Sequence, residues 1–327
     1  MLATRFTEAV HLLHPIALGG MGVGTSPQLA AAVCQAGGLG VLGATHIPAG
    51  RIGASVSEIR EATDRPFGLN FLLAFAGEEA LAAGFAARPS VLSFAWPRPD
   101  QRINEYFARA HEAGALVMHM VSTAGDAVRA AEAGADILVA QGTEGGGHVG
   151  QMGTVVLVRQ CAKAVPERPL LAAGGIADGA GLAAALALGA DGVLLGTRFL
   201  ATVEAPIHEN YKQAILASDG TDSVLTDIPD IAQGRVWPGA MDRVLRTRLI
   251  EEFIGREWLV RQQRPQIAAR LARAREVGDV ADGSLGTGQV AGLIDSIEPA
   301  GELVARIARE AEATLARLGG IVAGPVR

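Results

Sequence analysis

The chain has 327 residues, of which 49% are apolar, and this is enough to bury the core of one large α/β barrel. Its net charge of −6 gives no reason to expect nucleic acid or an anionic membrane as a partner. The two cysteines, Cys34 and Cys161, fall in predicted amphipathic helices and have no metal-ligand neighbours at a useful spacing. We therefore expect two buried free thiols and no metal site.

The N-terminal segment does not have the pattern of a signal peptide, because its apolar run is short and interrupted by Glu8 and His11. No apolar run elsewhere in the sequence reaches transmembrane length without glycines or charges. Two free thiols also fit a reducing compartment. We therefore expect a soluble, cytoplasmic protein, and the sequence leaves open whether it forms a homodimer.

Short apolar runs recur along the first part of the chain and predict strands. Each run is continuous rather than alternating, as expected for strands that are buried on both faces of a sheet. The predicted strands are residues 16–18, 40–42, 67–71, 91–94, 116–119, 137–140, 170–173 and 192–195.

Helical stretches with recognisable ends separate these strands. Ser26 and Pro27 are an N-cap and a first helical residue, and Asp178 and Gly189 bracket a later helix. Strict alternation of strands and helices indicates a parallel sheet, and eight repeats favour closure into a (β/α)₈ TIM barrel. An open dinucleotide-binding sheet is disfavoured, because GGMGVG at 19–24 lacks the glycine spacing of that turn.

The pattern changes after the eighth predicted strand. Residues 203–283 are predicted to be a mostly helical appended segment beside the barrel mouth, with a turn-rich break at 226–238. Residues 1–202 and 284–327 then form the barrel and a C-terminal amphipathic helix. An arginine-rich run at 243–275 is interleaved with glutamates, which favours a solvated helical face over a polyanion site.

Glycines follow the seventh and eighth predicted strands, where barrels commonly bind a phosphate. Gly174 and Gly175 come after the seventh strand, and Gly196 and Thr197 come after the eighth. Glycine lets the backbone approach an anion, the following helices direct N–H groups at it, and Thr197 adds a hydroxyl donor. The pair of loops therefore predicts a phosphorylated cofactor.

The loop after the sixth predicted strand is long and glycine-dense, and such a backbone can lie flat against a planar ring. His148 is its single imidazole. A histidine on a flexible loop at the catalytic face of a barrel is well placed to act as a general base. Glu144 in the same loop is a candidate for a second acid–base group, but we expect it to cap or hydrogen-bond the loop. His119, at a strand end, either lines the pocket or packs, while His46 and His208 are expected to be structural or solvent-exposed.

Several segments together resemble the nitronate monooxygenase family, formerly called 2-nitropropane dioxygenases. The segments are PIALGGMGVGTSPQLAAAVCQAGGLGVLG, GLNF at 68–71, ADILVAQGTEGGGHVG, LLAAGGIADGAGLAAALALGADGVLLGTRFL, EAPIHENYKQAIL and GQVAGLID at 288–295. The resemblance implies a cytoplasmic FMN-dependent oxidoreductase, and His148 matches the family's catalytic base. The expected cofactor-binding residues are Gly20, Met21, Gly22, Asn70, Gln141, Gly146, Gly147, Gly174, Gly175, Gly196 and Thr197.

Two departures from the family pattern border the substrate side. The first strand ends in Gly19-Gly20-Met21 where the family usually has Ala-Pro-Met. The sixth loop has Glu144-Gly145-Gly146-Gly147-His148 where members often have EAGGH. The phosphate site is unaffected by either change.

Three functions remain open at this point. The first is oxidation of alkyl nitronates by O₂ to a carbonyl compound and nitrite, with His148 as base. The second is an NAD(P)H-dependent reductase of a quinone or enoyl thioester, for which Arg243, Arg246 and Arg248 could attract a carrier protein. The third is a flavin-free barrel lyase or isomerase, which is disfavoured because no lysine lies at a predicted strand end. Each of these functions takes a small-molecule substrate.

Overall fold

The computed structural model describes residues 2–322, so Met1 and residues 323–327 of the predicted barrel lie outside the described residues. Its central element is a barrel of eight parallel strands. They are β1 Ile16–Leu18, β2 Gly40–Gly43, β3 Phe67–Leu72, β4 Val91–Ala95, β5 Leu116–Val121, β6 Ile137–Gln141, β8 Leu170–Ala173 and β9 Gly192–Leu195. They pair in the order β1-β9-β8-β6-β5-β4-β3-β2. Backbone bonds between Leu39 and residues Ile16 and Leu18 close the barrel.

Three further strands form a small antiparallel sheet in the order β10-β11-β7. They are β7 Gly147–Val149, β10 Ser223–Thr226 and β11 Met241–Leu245. The register pairs His148 of β7 with Asp242 of β11. The loop after β6 is therefore joined by backbone hydrogen bonds to a segment about a hundred residues further along the chain.

Helices cover the outside of the barrel and build the appended segment. They are α1 Arg5–Val10, α2 Pro27–Gln35, α3 Ala49–Ala62, α4 Glu78–Ala86, α5 Ile103–Glu112, α6 Ala124–Glu132, α7 Thr154–Ala164, α8 Gly179–Ala187, α9 Thr197–Leu200, α10 Glu209–Ala217, α11 Ile228–Gln233, α12 Arg248–Phe253, α13 Glu257–Gln262, α14 Arg264–Val277 and α15 Ala300–Val322. A short 3₁₀ helix spans Gln289–Leu293.

The apolar core has two layers, because successive side chains of a barrel strand point in opposite directions. On β5, Met118 packs in the barrel interior, whereas Val117 and Val121 pack against the surrounding helices. Phe6 and Val10 of α1 join the interior cluster. Helix α1 therefore closes the N-terminal end of the barrel and leaves the opposite end open for a site.

The predicted (β/α)₈ barrel with an appended helical segment is confirmed. All eight predicted strands are present, with ends that differ from the prediction by at most two residues. The predicted caps also form: the Ser26 hydroxyl accepts from the Leu29 N–H at 3.1 Å, and the Asp178 carboxylate accepts from the Gly181 N–H at 2.8 Å. Both cysteines are free and buried, and burial raises the pKa of each thiol to about 11.

The structure completes one expectation about secondary structure, for residues 203–283, and corrects another, for His148. The appended segment, residues 203–283, contains the strands β10 and β11 as well as helices, and we call it the lobe. His148 lies in a paired strand rather than on a flexible loop. Both differences have one cause, since these strands are short and partly polar, and their partners are distant in sequence. Within residues 2–322 no helix is long and apolar enough to cross a membrane.

Gly40 at the start of β2 is a place where the fold requires glycine. A Cβ there would overlap the carbonyl oxygen of Ala30 in α2 and would lie 2.7 Å from the Cys34 sulfur. We expect Gly40→Ala to lower the free energy of unfolding by about 3 kcal/mol or more, measured by urea denaturation. Gly53→Ala, in open space on exposed α3, should instead raise it by about 0.5–1 kcal/mol. Equal effects of the two substitutions would contradict this packing.

Candidate active site

A cavity of about 440 Å³ opens at the carboxyl ends of the barrel strands, between the barrel and the lobe. This volume lies in the range of small-molecule and cofactor sites. The strand ends contribute Asn70, Gln141 and the glycine loops, and the lobe contributes Asp230, Trp237 and Asp242. The sequence-predicted site residues therefore do come together, and the lobe adds several that the sequence did not indicate.

One wall of the cavity is the glycine cradle, which consists of Gly174, Gly175, Gly196 and Thr197. Gly174 and Gly175 have φ angles of +95° and +75°, which side chains rarely tolerate. A Cβ on Gly174 would lie 2.8 Å from the Gly142 carbonyl oxygen. The Thr197 hydroxyl accepts from the Gly288 N–H at 3.1 Å, so its own hydrogen is still available to an anion.

The loop after β1 is held against β3 by Asn70. The Asn70 side-chain N–H₂ donates to the Gly20 carbonyl oxygen at 3.0 Å, and its oxygen accepts from the Ser93 hydroxyl at 3.0 Å. A Cβ on Gly20 would overlap the Asn70 side chain. Asn70 therefore fixes the position of Gly20, and Met21 and Gly22 line the cavity beside it.

Gln141, at the end of β6, presents an unsatisfied acceptor. Its Oε1 is buried and has no hydrogen-bond partner among the residues that the structure describes. Because a buried acceptor without a partner is costly, this oxygen is suited to an N–H donor on a molecule in the cavity. Together with the glycine cradle, it makes the pocket fit a cofactor that has a phosphate and a hydrogen-bonding ring.

The two predicted glycines before His148 have different surroundings. Gly146 packs against the backbone of Thr287 and Gly288, where a Cβ would not fit. Gly147 has a φ angle of +74° and faces open space. Both line the cavity, but the glycine at 146 is required by packing against the segment before the 3₁₀ helix.

His148 is held on two sides by residues of the lobe. Its Nε2 lies 2.9 Å from Oδ2 of Asp230, and the other oxygen of that carboxylate accepts from the Trp237 indole N–H at 2.9 Å. The Trp237 ring stacks on the imidazole, with a centroid distance of 3.4 Å and an interplanar angle of 11°. Because an ionised carboxylate only accepts, the Nε2–H group is the donor of this bond, and in the neutral imidazole the lone pair is then on Nδ1.

Asp242 is a second carboxylate beside His148. It pairs with His148 in the β7–β11 register, is buried, and lines the cavity. Its Oδ1 has no hydrogen-bond partner among residues 2–322. Burial raises the Asp242 pKa to about 6, an effect opposed by His148 and reinforced by Asp230.

Aromatic rings form a wall around this group. Trp237 lies 4.7 Å from the Phe75 ring and 6.2 Å from the Trp96 ring, measured between centroids. Trp96, directly after β4, has a φ angle of +52°, which is unfavourable for a bulky residue. Such strained backbone clusters at functional sites, and here it directs an indole at the cavity.

Three other histidines and Glu144, all considered in the sequence, lie in different surroundings. His119 packs edge-on against Phe107 at 5.3 Å, and burial lowers its pKa to about 4, so it belongs to the outer core and not to the cavity. His46 and His208, expected to be structural or solvent-exposed, both line the cavity. Glu144 accepts from the N–H and hydroxyl of Thr154 and thus caps α7.

Asp230, Trp237 and Asp242 are cavity residues that the sequence did not indicate. Asp230 is 82 residues from its partner His148 and has no motif around it. The available signal was the turn-rich break at 226–238, which interrupts the helical pattern of the lobe. Loops often carry binding and catalytic residues, so a turn-rich break near a barrel mouth can indicate site residues.

Comparison with known proteins agrees with this architecture. A family model described as nitronate monooxygenase matches residues 3–310. The nitronate monooxygenase of Paraburkholderia phytofirmans is 30% identical, over 93% of this chain and 94% of that protein. A (3aS,4S,5R,7aS)-5-hydroxy-7a-methyl-1-oxo-octahydro-1H-indene-4-carboxyl-CoA dehydrogenase of Mycobacterium tuberculosis is 37% identical, over 77% of this chain and 68% of that protein.

Two solved structures superimpose on nearly the whole chain. FabK from Thermotoga maritima superimposes with a TM-score of 0.89 at 36% identity, over 98% of this chain and all of that chain. A nitroalkane oxidase from Streptomyces ansochromogenes superimposes with a TM-score of 0.81 at 29% identity, over 96% of this chain and 99% of that chain. The resemblance that the motifs indicated is therefore confirmed.

The raised pKa of Asp242 predicts a pH-dependent stability. In the unfolded chain the carboxyl ionises near its ordinary value of 3.8, whereas in the folded protein it ionises at about 6. The wild type therefore loses stability as the pH rises through 6, and Asp242→Asn does not. The stability of the variant relative to wild type should rise by about 2 kcal/mol from about pH 4 to about pH 8, measured by urea unfolding.

The matched control is Asp227→Asn, which changes a partly buried carboxylate at the start of α11 that lies outside the cavity wall. Its stability relative to wild type should not follow the trend of Asp242→Asn. A constant stability difference between Asp242→Asn and wild type at both pH values would contradict the burial of an ionisable Asp242.

Proposed function

Because the chain belongs to the nitronate monooxygenase family of flavin-dependent oxidoreductases, we propose that it binds FMN and oxidises an alkyl nitronate or nitroalkane with O₂. The products would be a carbonyl compound and nitrite. His148 is the base in this proposal. The observation that supports it is the pairing of His148 with buried Asp230 in the wall of the cavity that also contains the glycine cradle.

FMN fits the residues of the barrel wall. Its phosphate would lie at the glycine cradle, where backbone N–H groups and the Thr197 hydroxyl can bind an anion. The unsatisfied Gln141 Oε1 would accept from the ring system. The chemistry that a bound flavin would supply is the acceptance of two electrons from the substrate and their transfer to O₂.

The contribution of the chain itself is proton transfer at a defined atom. With Nε2 bonded to Asp230, the Nδ1 lone pair of His148 accepts the proton from the carbon next to the nitro group. Asp230 then stabilises the positively charged imidazole, and the stacked Trp237 ring keeps it in orientation. A preformed nitronate has already lost that proton, so its oxidation does not need His148 as a base.

A second candidate is a dehydrogenase or reductase of an acyl-CoA type substrate. It is favoured by the 37% identity to the indene-carboxyl-CoA dehydrogenase and by the superposition on FabK. It predicts that NADH or NADPH, or a thioester substrate, exchanges electrons with the flavin without any nitro compound. The flavin-free lyase or isomerase loses its support, because the family and the structural neighbours are oxidoreductases.

The proposed reaction is tested by mixing purified enzyme with a small nitronate without oxygen. The preparation should show the absorbance of bound FMN, released on denaturation and identified by mass, and that absorbance should bleach on mixing. An unchanged flavin spectrum would reject nitronate oxidation. Bleaching by NADH or NADPH alone, with none by the nitronate, would instead establish the second candidate.

The base is tested by comparing a neutral nitroalkane with its preformed nitronate. We expect His148→Asn and Asp230→Asn to lower kcat/KM for the neutral nitroalkane roughly 100-fold or more, because proton abstraction then lacks its base or the orientation of that base. The nitronate should be affected far less. Asp227→Asn, in the same segment but outside the cavity wall, is the control. Equal losses for the two substrates would show that His148 is not the base.

A further inference from the structure

Two arginines of the lobe face the mouth of the cavity. Arg235 follows α11, and Arg275 lies near the end of α14. Both are exposed, and neither makes a side-chain hydrogen bond or ion pair with any of the described residues. Since the proposed proton transfer uses neither of them, their charges are unassigned.

Three other arginines of the lobe form ion pairs with carboxylates. The pairs are Arg246 with Glu251 at 3.0 Å, Arg248 with Asp282 at 2.8 Å, and Arg270 with both Glu252 and Asp282 at 3.1 Å. Arg243 is buried and donates to the Thr143 carbonyl oxygen at 2.8 Å. The group Arg243, Arg246 and Arg248 is therefore not an open cluster for a carrier protein. Arg235 and Arg275 are the arginines of the described cavity wall, and neither has an ion-pair partner among the described residues.

The barrel contributes a third group to the same place. His46, in the loop after β2, also lines the cavity. The pKa of His46 is lowered, first by burial and then by the charges of Arg235 and Arg275. Both arginines are thus near enough to act on His46, and the three side chains converge from the barrel and from two elements of the lobe.

This group is distinct from the phosphate site of the proposed cofactor. The glycine cradle belongs to the loops after β8 and β9, whereas His46 follows β2, Arg235 follows α11 and Arg275 lies in α14. Arg235 and Arg275 line the same continuous cavity as His148, Trp96 and Trp237. A molecule that contacts both His148 and the two arginines would combine an organic part with an anionic part.

We infer that Arg235, Arg275 and His46 bind the phosphate groups of a nucleotide-bearing reactant, either a coenzyme A thioester or NAD(P)H, whose reactive end reaches the flavin side of the cavity. Two guanidinium groups match a pyrophosphate or a pair of phosphates, since arginine binds phosphate oxygens with two parallel hydrogen bonds. A small nitronate has a single charge and needs no such site, so this inference goes beyond the proposed nitronate oxidation.

The experiment is isothermal titration of the flavin-loaded enzyme with two separate probes, coenzyme A and NADPH. We expect at least one probe to bind and its Kd to increase with salt, because exposed charge pairs are screened. The double variant Arg235→Gln/Arg275→Gln should raise that Kd roughly tenfold, and the corresponding lysine variant by less. Arg273→Gln removes one exposed charge from the same helix α14 outside the cavity and is the matched control, which should leave the Kd unchanged.

Each outcome has a defined meaning. Binding of coenzyme A alone identifies a thioester, binding of NADPH alone identifies the reductant, and binding of both supports the shared phosphate site. Binding of neither probe, or an unchanged Kd in the double variant, would overturn the inference. Loss of flavin from the double variant would overturn it too, because the arginines would then belong to the cofactor site. The flavin absorbance of the wild-type sample tests the proposed cofactor separately.

Discussion

The antiparallel pairing of β7 with β11 is the contact on which the site depends. It joins the loop after β6 to the lobe through backbone hydrogen bonds and sets His148 opposite Asp242. The same docking brings Asp230 and Trp237 to the imidazole. Without it the barrel would still present its glycine cradle, but His148 would have no carboxylate to fix its tautomer. The lobe is therefore part of the site rather than an appendage.

The site is divided between the two parts of the chain. Residues at the ends of the barrel strands form the glycine cradle and present the unsatisfied Oε1 acceptor of Gln141, and both features suit a cofactor. Lobe residues supply Asp230 and Trp237 as the partners of the proposed base, and two unpaired arginines at the mouth. Because a fold does not determine its reaction, such a division lets one cofactor-binding barrel serve different reactions through changes in the lobe.

The sequence predicted the barrel well because each buried strand is a continuous apolar run, and such runs depend only on local composition. The glycines and Thr197 after the last two strands could be proposed as a phosphate site because such sites recur at that place in barrels. Asp230 and Trp237 could not be assigned, since their roles arise from contacts with a residue far away in the chain. The strands β10 and β11 were missed for a related reason: they are short, partly polar, and formed by long-range pairing.

The account depends most on the geometry of His148 and Asp230 in the flavin-loaded enzyme. A crystal structure of the FMN complex measures it directly. We expect His148 Nε2 to remain within hydrogen-bond distance of Asp230, the Nδ1 side to face the cavity, and the phosphate to contact Gly175, Gly196 and Thr197. A His148 ring turned away from Asp230, or a phosphate bound elsewhere, would contradict the role that we give to the lobe.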